Sequence, residues 1–273
     1  MACAVPSKLA EALVARKVIL FVGAGMSMPQ LPGWGAFLTD MLAYCIDDRV
    51  AAILSAEAKL RELIAGWKYL EAAQILRDGM GPRDFCAFLH QRLRRAKRDA
   101  RHHLAARLPF AAILTTNYDT FVEDASWDRP DVINQRKLPE LMRALHASRS
   151  CVVHMHGDVS DVQSIVLSAA DYDILKKDEH FAHYVHTLAS SYTFLFVGCS
   201  LQQDEDFMLF LDQVFQKAAG LTGPHYALQH VSKCDGARRE EYDKKYGIRF
   251  LEDHSDKVPD IEAFLRSLRA TLP

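Results

Sequence analysis

The sequence carries no long apolar run, no excess of either charge and no paired cysteines. Its longest apolar stretches, VILFV at 18–22 and FLFVGC at 194–199, fall far short of the roughly 20 residues that cross a bilayer. The N-terminal stretch holds Lys8 and Glu11 where a secretory signal needs uninterrupted apolar residues, which predicts a cytoplasmic protein without membrane contact. Lys and Arg number 33 against 35 Asp and Glu, a net charge of −2. A globally basic nucleic-acid binder is therefore not indicated, and only a local patch is left to consider. Cys3, Cys45, Cys86, Cys151, Cys199 and Cys234 lie far apart in the chain. That spacing excludes a zinc ribbon built from CxxC pairs and predicts small buried apolar residues instead. Repeats, low-complexity tracts and long Gly, Ser or Pro linkers are also missing.

What is present is ample material for a core: 49% of the residues are apolar and 25% charged, which excludes a mainly disordered chain. Short apolar runs at 18–22, 111–114, 152–155, 165–167, 193–197, 226–229 and 248–251 read as strands. Near-continuous apolar strands separated by amphipathic stretches predict an α/β fold, a Rossmann-like parallel sheet with helices on both faces. Between the first two strands, apolar residues such as Phe85, Phe88, Leu89 and Leu93 recur at helical spacing. A crossover normally takes about a dozen residues, so the stretch at about 35–108 is expected to be a helical insertion lobe within a single domain spanning 1–273. The segment 92–107 carries Arg92, Arg94, Arg95, Lys97, Arg98, Arg101 and Arg107 against Asp99 alone. It reads as a solvated helix face or as a docking surface for an acidic partner or nucleic acid.

Four strands end in small and polar residues. The first runs into VGAGMS at 22–27, where Gly23 and Gly25 permit tight turning and a close approach by phosphate. As a dinucleotide fingerprint it is incomplete, since Met28 holds the third glycine position. With Asp40 in a helical pattern, the acidic residue a dehydrogenase needs is missing too. The second strand ends in TTNYD at 115–119. Asn117 can hold a ribose hydroxyl or a water, while Asn117 or Asp119 could instead cap the helix that follows. The third ends in HMHGD at 154–158. Strand alternation would put His154 and His156 on one side. An HxHxD metal cluster of the metallo-β-lactamase type would continue with another His, and Val159 stands there. The favoured reading is one histidine as a general base, with His154 structural. The fourth ends in FVGCSL at 196–201, where Ser200 can donate to a ribose or phosphate, and Asp204 is expected to cap a helix over 204–217. Polar residues at the carboxyl ends of parallel strands lie where open α/β sheets bind ligands.

The ordered set GAGMS, LPGW, TTNYD, HMHGD, VLSAADY and FVGCSL resembles the sirtuin superfamily. More closely, it is similar to the sirtuin-like (SIR2-like) NAD-hydrolase domains of prokaryotic anti-phage defence. The phrase LAARLPF at 104–110 followed by TTNYD is similar to the NAD-cleaving subunit of Thoeris systems. The resemblance runs from about residue 15 to 251. It implies that Gly23, Ala24, Gly25 and Ser27 cradle the NAD pyrophosphate. Thr116, Asn117 and Asp119 would lie beside the nicotinamide ribose, and Gly198, Ser200 and Leu201 would hold the adenosine half. His156 would be the catalytic histidine, with Asn117 orienting a water or the ribose hydroxyls. The protein deacylases of the superfamily carry two CxxC pairs for zinc, a Gln where Thr116 stands and Phe-Arg near Gly33 and Trp34. Their absence implies cleavage of NAD+ to ADP-ribose and nicotinamide, with NAD+ as substrate and no zinc. A protein deacylase, an ADP-ribosyltransferase and a non-catalytic NAD- or ADP-ribose-sensing subunit are the alternatives. A defence enzyme of this kind has to be silent in healthy cells, which implies control by homo-oligomerisation or by a separately encoded partner.

Overall fold

The computed structural model describes residues 3–93, 97–201, 211–215, 224–256 and 259–273. Seven strands form one all-parallel sheet: β1 (Val18–Val22), β2 (Ala112–Thr115), β3 (Asp131–Asn134), β4 (Cys151–His154), β5 (Thr193–Val197), β6 (His225–His230) and β7 (Ile248–Asp253). Their order is β3-β4-β2-β1-β5-β6-β7. The chain leaves β1 toward β2, β4 and β3, then crosses to the other side of β1 to build β5, β6 and β7. The order therefore reverses between β1 and β5, and a crevice opens outside the strand ends at such a point.

All five residues of β1 are buried, as expected for a strand covered on both faces. Alternation sends Ile19 and Phe21 into one core with Leu114, Val153, Phe194 and Phe196. Val18, Leu20 and Val22 enter a second core with Leu195, Leu228 and Phe264. Helices flank these faces: α1 (Ser7–Val14), α6 (Ala100–Arg107), α7 (Phe121–Ala125), α8 (Leu138–His146), α9 (Ala169–Lys177), α10 (Glu179–Ala189), α11 (Gly236–Tyr246) and α12 (Ile261–Ala270).

The stretch between β1 and β2 is helical. It contains α2 (Trp34–Asp47), α3 (Ala51–Leu54), α4 (Glu57–Ala65), α5 (Tyr69–Leu93) and α6. Residues from Leu31 to Leu93 share a third core, closed on the sheet side by Phe121, Val159, Ile165 and Leu167. In contrast, α6 packs its Ala105 into the second core of the sheet.

Two local expectations are corrected, and one strand had no counterpart in the sequence reading. Residues 165–167 are not a strand; they follow a 3₁₀ turn, Val162–Ser164, and belong to the long β4–α9 connection. Their apolar side chains are explained by burial under the lobe. The edge strand β3 has only two buried residues and left no apolar run to read. The basic segment is not uniformly solvated, as described below. The helix expected over 204–217, with Asp204, falls largely outside the described residues, as do Arg94 and Arg95.

Candidate functional site

The four strands that end in polar motifs, β4, β2, β1 and β5, are neighbours in the sheet. Parallel strands in register bring their carboxyl ends to one edge. Thr115 pairs with His154 across β2 and β4, so Asn117 and His156 each stand two residues beyond a paired position. Two backbone bonds tie these loops together, from Met155 N–H to Thr115 O at 2.8 Å and from Val159 N–H to Tyr118 O at 3.0 Å.

On the other side, the loop after β1 lies against the turn after β5. Gly23 N–H donates to Val197 O at 3.0 Å and Gly25 N–H to Gly198 O at 2.9 Å. Gly198 has φ of +70°, and a Cβ there would sit 2.5 Å from Met26 N. Only glycine permits this back-to-back packing. The β1 loop closes as a 3₁₀ turn, Ala24–Met26, rather than as a long helix. The N–H groups of Met26, Ser27 and Met28 bond inside it. Its exposed face is formed by Ala24, with Gly25 partly open. Ser200 is exposed, whereas Leu201 is buried in the first sheet core.

Beneath Asn117 lies a buried polar network. The Asn117 amide nitrogen donates to Gly23 O at 3.2 Å and to Ser27 Oγ at 3.3 Å. Because Gly23 O can only accept, the amide orientation is fixed and Oδ1 is the atom turned away from the loop. Ser27 Oγ donates to Asp119 Oδ2 at 2.9 Å. Asp119 also accepts the N–H of Phe121 at 3.2 Å, which holds the start of α7. Burial raises the Asp119 carboxyl to about 6, although its hydrogen bonds to Ser27 and Phe121 oppose this. Thr116 donates its N–H to Val22 O at 3.3 Å.

A fourth member was not legible as part of a site: His102, fully buried on α6. Its Nδ1 accepts the N–H of Asp99 at 3.1 Å. The proton therefore sits on Nε2, which lies 3.4 Å from Ser27 Oγ and donates to it. Burial pushes the His102 pKa down to about 4 against the pull of Asp99. Next to it, Arg101 grips the glycine loop. The guanidinium donates to Gly25 O at 3.3 Å, Met28 O at 2.6 Å and Gln30 Oε1 at 3.0 Å, and pairs with Asp99. Arg101, assigned from sequence to a solvated face or docking surface, is instead an internal clamp. Its neighbours Arg92 and Arg107 are engaged with Asp40 and the Trp127 ring. Clustered charge in the sequence gave no sign that its members would divide between different partners.

The two histidines of HMHGD have different surroundings. β4 ends at His154, so strand alternation does not extend to His156, and their side chains meet different elements. His154 is fully buried and bridges Asn117 O at 3.0 Å and Glu123 Oε1 at 2.9 Å. Burial pulls its pKa down, but the Glu123 carboxylate outweighs that and leaves it raised. His154 and Glu123 thus form a buried hydrogen-bonded pair. His156 keeps part of its surface open. Its Nδ1 lies 3.2 Å from Tyr172 Oη, and burial lowers its pKa to about 4. At neutral pH it is an uncharged imidazole. The turn continues through Gly157 at φ +76°, where a Cβ would lie 2.2 Å from Ser164 O.

An open cavity of about 400 Å³ lies alongside, lined by acidic residues including Glu123, Asp124, Asp158 and Asp161. Neither Asn117 nor His156 lines it, so it is not where the strand motifs converge. Among the described residues, no group of three His, Cys, Asp or Glu side chains is placed to hold a metal ion, and no helix is long and apolar enough to cross a membrane.

Comparison with known proteins bears on this edge of the sheet. The family model described as a SIR2-like domain matches residues 111–251, the span from β2 to β7. The NAD(+) hydrolase ThsA of Enterococcus faecium is 26% identical over 229 residues, which cover 81% of this chain and 45% of that protein. The NAD(+) hydrolase ThsA of Acinetobacter baumannii is 27% identical over 173 residues, 60% of this chain and 35% of that protein. That of Bacillus cereus is 34% identical over 102 residues, 36% of this chain and 21% of that protein. The chain thus spans less than half the length of the curated relatives it matches. The matched span takes in Asn117, His156 and Gly198, and with its parallel sheet and polar strand ends this chain belongs to the SIR2-like domain family.

Proposed function

We propose that this chain is an NAD+ glycohydrolase that converts NAD+ and water to ADP-ribose and nicotinamide, and that it serves as a regulated effector of anti-phage defence. The observation that carries the reading is the pairing of two groups on adjacent strand ends. One is an asparagine amide with its nitrogen fixed and its oxygen turned away from the loop; the other is a neutral, partly open histidine. Resemblance to proteins named NAD(+) hydrolase supports the same substrate.

The chemistry asks little of an acid. The nicotinamide ring nitrogen carries positive charge, so the C1′–N bond breaks with its electron pair leaving on a neutral ring. The transition state gathers positive charge on the ribose, as in glycoside cleavage generally. Asn117 Oδ1 is an acceptor suited to a water or a ribose hydroxyl. His156, uncharged at neutral pH, takes a proton from the attacking water or a ribose hydroxyl. General-base assistance of this kind contributes roughly 10²–10⁴-fold. Ala24 and Gly25 offer the open surface against which the pyrophosphate would lie, with Gly198 packed beside them and the buried Gly23 and Ser27 supporting the loop from beneath. Thr116 and Asp119 support the ribose side, and Ser200 the adenosine side. Leu201 would act from the core by shaping the β5 turn. A homo-oligomer or a separately encoded partner would hold the activity in check.

The test is product analysis. The purified chain, incubated with NAD+ alone and with candidate partners, is expected to yield equal amounts of ADP-ribose and nicotinamide. Asn117→Ala and His156→Ala are expected to lose that yield while remaining folded. A folded His156→Ala protein with wild-type turnover would sink the mechanism. An acyl-ADP-ribose product, formed only when an acylated peptide is added, would replace it with the deacylase reading.

A further inference from the structure

Among the described residues, Tyr172 links the helical lobe to the candidate base. Tyr172 lies in the first turns of α9 and is 7% exposed. Its hydroxyl meets His156 Nδ1 at 3.2 Å, and its ring meets the imidazole edge-on, with centroids 5.1 Å apart. On its other side the same ring stacks on Trp34, the first residue of α2, with centroids 6.4 Å apart and planes 28° from parallel. Trp34 in turn packs on Tyr69 at the start of α5.

The helix that carries Tyr172 is held by the lobe. Asp171 Oδ2 accepts Leu167 N–H at 3.1 Å and Ser168 N–H at 2.9 Å, which closes the N-terminal cap of α9. The same carboxylate pairs with Arg77 of α5, and Arg77 also donates to Ile165 O at 3.4 Å. Gln74 of α5 accepts the N–H of Ala170 at 3.0 Å. Lobe residues therefore fix the backbone beside Tyr172 and stack on its ring.

We propose that Tyr172 is a positioning residue that sets the tautomer and orientation of His156, and that the helical lobe acts on the site through it. The proposal rests on the reading of His156 as the base. Among the described residues, Tyr172 is the hydrogen-bond partner of the His156 ring. A base acting through Nε2 needs its proton on Nδ1, where it is donated to Tyr172 Oη. In a neutral imidazole the nitrogen that donates leaves the other to accept, and Tyr172 Oη, able to accept as well as donate, sits where it can hold the Nδ1–H form. Without that bond the proton is free to move to Nε2, which then cannot accept. Arg77 bears on the same event, because releasing Asp171 loosens the first turn of α9.

The experiment uses the whole chain with Tyr172→Phe, Arg77→Gln and the double variant. Nitrogen-15 NMR of the histidine rings, with His156 assigned by its loss in His156→Gln, reports the tautomer without any need for turnover. The wild type is expected to hold mainly the Nδ1–H form. Tyr172→Phe is expected to shift it toward Nε2–H, to lower kcat about five- to tenfold, the factor for one lost hydrogen bond, and to leave KM within about twofold. Arg77→Gln is expected to move both readouts in the same direction by less, and to add nothing in the Tyr172→Phe background. An unchanged tautomer in Tyr172→Phe would overturn the proposal, as would a change in KM with kcat intact. An Arg77→Gln effect that adds fully to that of Tyr172→Phe would remove the lobe from it. If the wild type does not cleave NAD+, alone or with candidate partners, but the tautomer still shifts, the hydrolase reading fails and the positioning role stands.

Discussion

His154 and His156 are two residues apart and have opposite electrostatics. His154 is buried and hydrogen-bonded to Glu123, whose side chain is 10% exposed, and its pKa is raised by that carboxylate. The second carboxylate oxygen, Glu123 Oε2, is buried without a hydrogen-bond partner among the described residues. His154→Ala would leave that buried carboxyl without a side-chain hydrogen-bond partner among the described residues. Removing one member of a buried pair typically costs about 3–5 kcal/mol. His156→Ala deletes a single hydrogen bond to Tyr172 and leaves no charge stranded, a cost of about 1 kcal/mol. Urea unfolding is expected to rank them in that order, while NAD+ cleavage ranks them in reverse for any His154→Ala protein that stays folded. Equal stability losses would contradict the assignment of His154 as structural. The sequence made both histidines conspicuous, and the two have different surroundings in the fold. The argument from strand alternation failed all the same, because β4 stops at His154 and the turn through Gly157 redirects the chain.

At the scale of elements, the motifs were legible because each glycine or polar cluster directly follows an apolar run. The strands themselves were legible within about a residue at β1, β2, β4 and β5. What the sequence concealed is contact between distant segments. His102 meets Ser27 across 75 positions and Arg101 meets Gly25 across 76, and periodicity carries no information about either. The first turn of α6 thus joins the β1 loop to the Asn117 network, with Asp99 capping the helix and anchoring both. Arg101→Ala removes three hydrogen bonds to the β1 loop and uncovers Asp99. Hydrogen bonds from charged groups contribute about 1.5–3 kcal/mol each when buried, and this guanidinium is 16% exposed. A destabilisation of about 2 kcal/mol is expected in urea, together with a KM for NAD+ raised about tenfold. Arg101→Lys supplies charge without the fork and is expected to recover only part of the loss. Full recovery by Lys, or an unchanged KM in a folded Arg101→Ala protein, would return Arg101 to the solvated surface that the run of basic residues suggested.

For the molecule as a whole, the buried titratable groups predict how the fold responds to acid. His102, His156 and His225 are each lowered by burial to about 4. Each stays neutral in the native state, whereas an unfolded histidine takes up a proton near pH 6.5. Their contribution is complete above about pH 6.5 and is lost as pH falls toward 4. For the fully buried His102 the loss is at most about 3 kcal/mol. Asp119 acts in the opposite sense. Its pKa, raised by burial to about 6, makes the native state bind its proton first, so acid favours the fold between about pH 6 and 4. His154 is raised, so its contribution is present below pH 6.5 and fades only above its native value; it does not offset the acid loss. Three histidines against one carboxyl with a smaller shift predict a net loss of stability between pH 7 and 4.5. The melting temperature is expected to fall across that range, and unfolding at pH 5 to take up protons. His225 accepts the N–H of Phe194 at 3.0 Å, a role an asparagine oxygen can fill. His225→Asn is therefore expected to flatten the pH dependence while costing stability at pH 7. A melting temperature that holds steady or rises from pH 7 to 4.5 would mean that these histidines are protonated inside the fold.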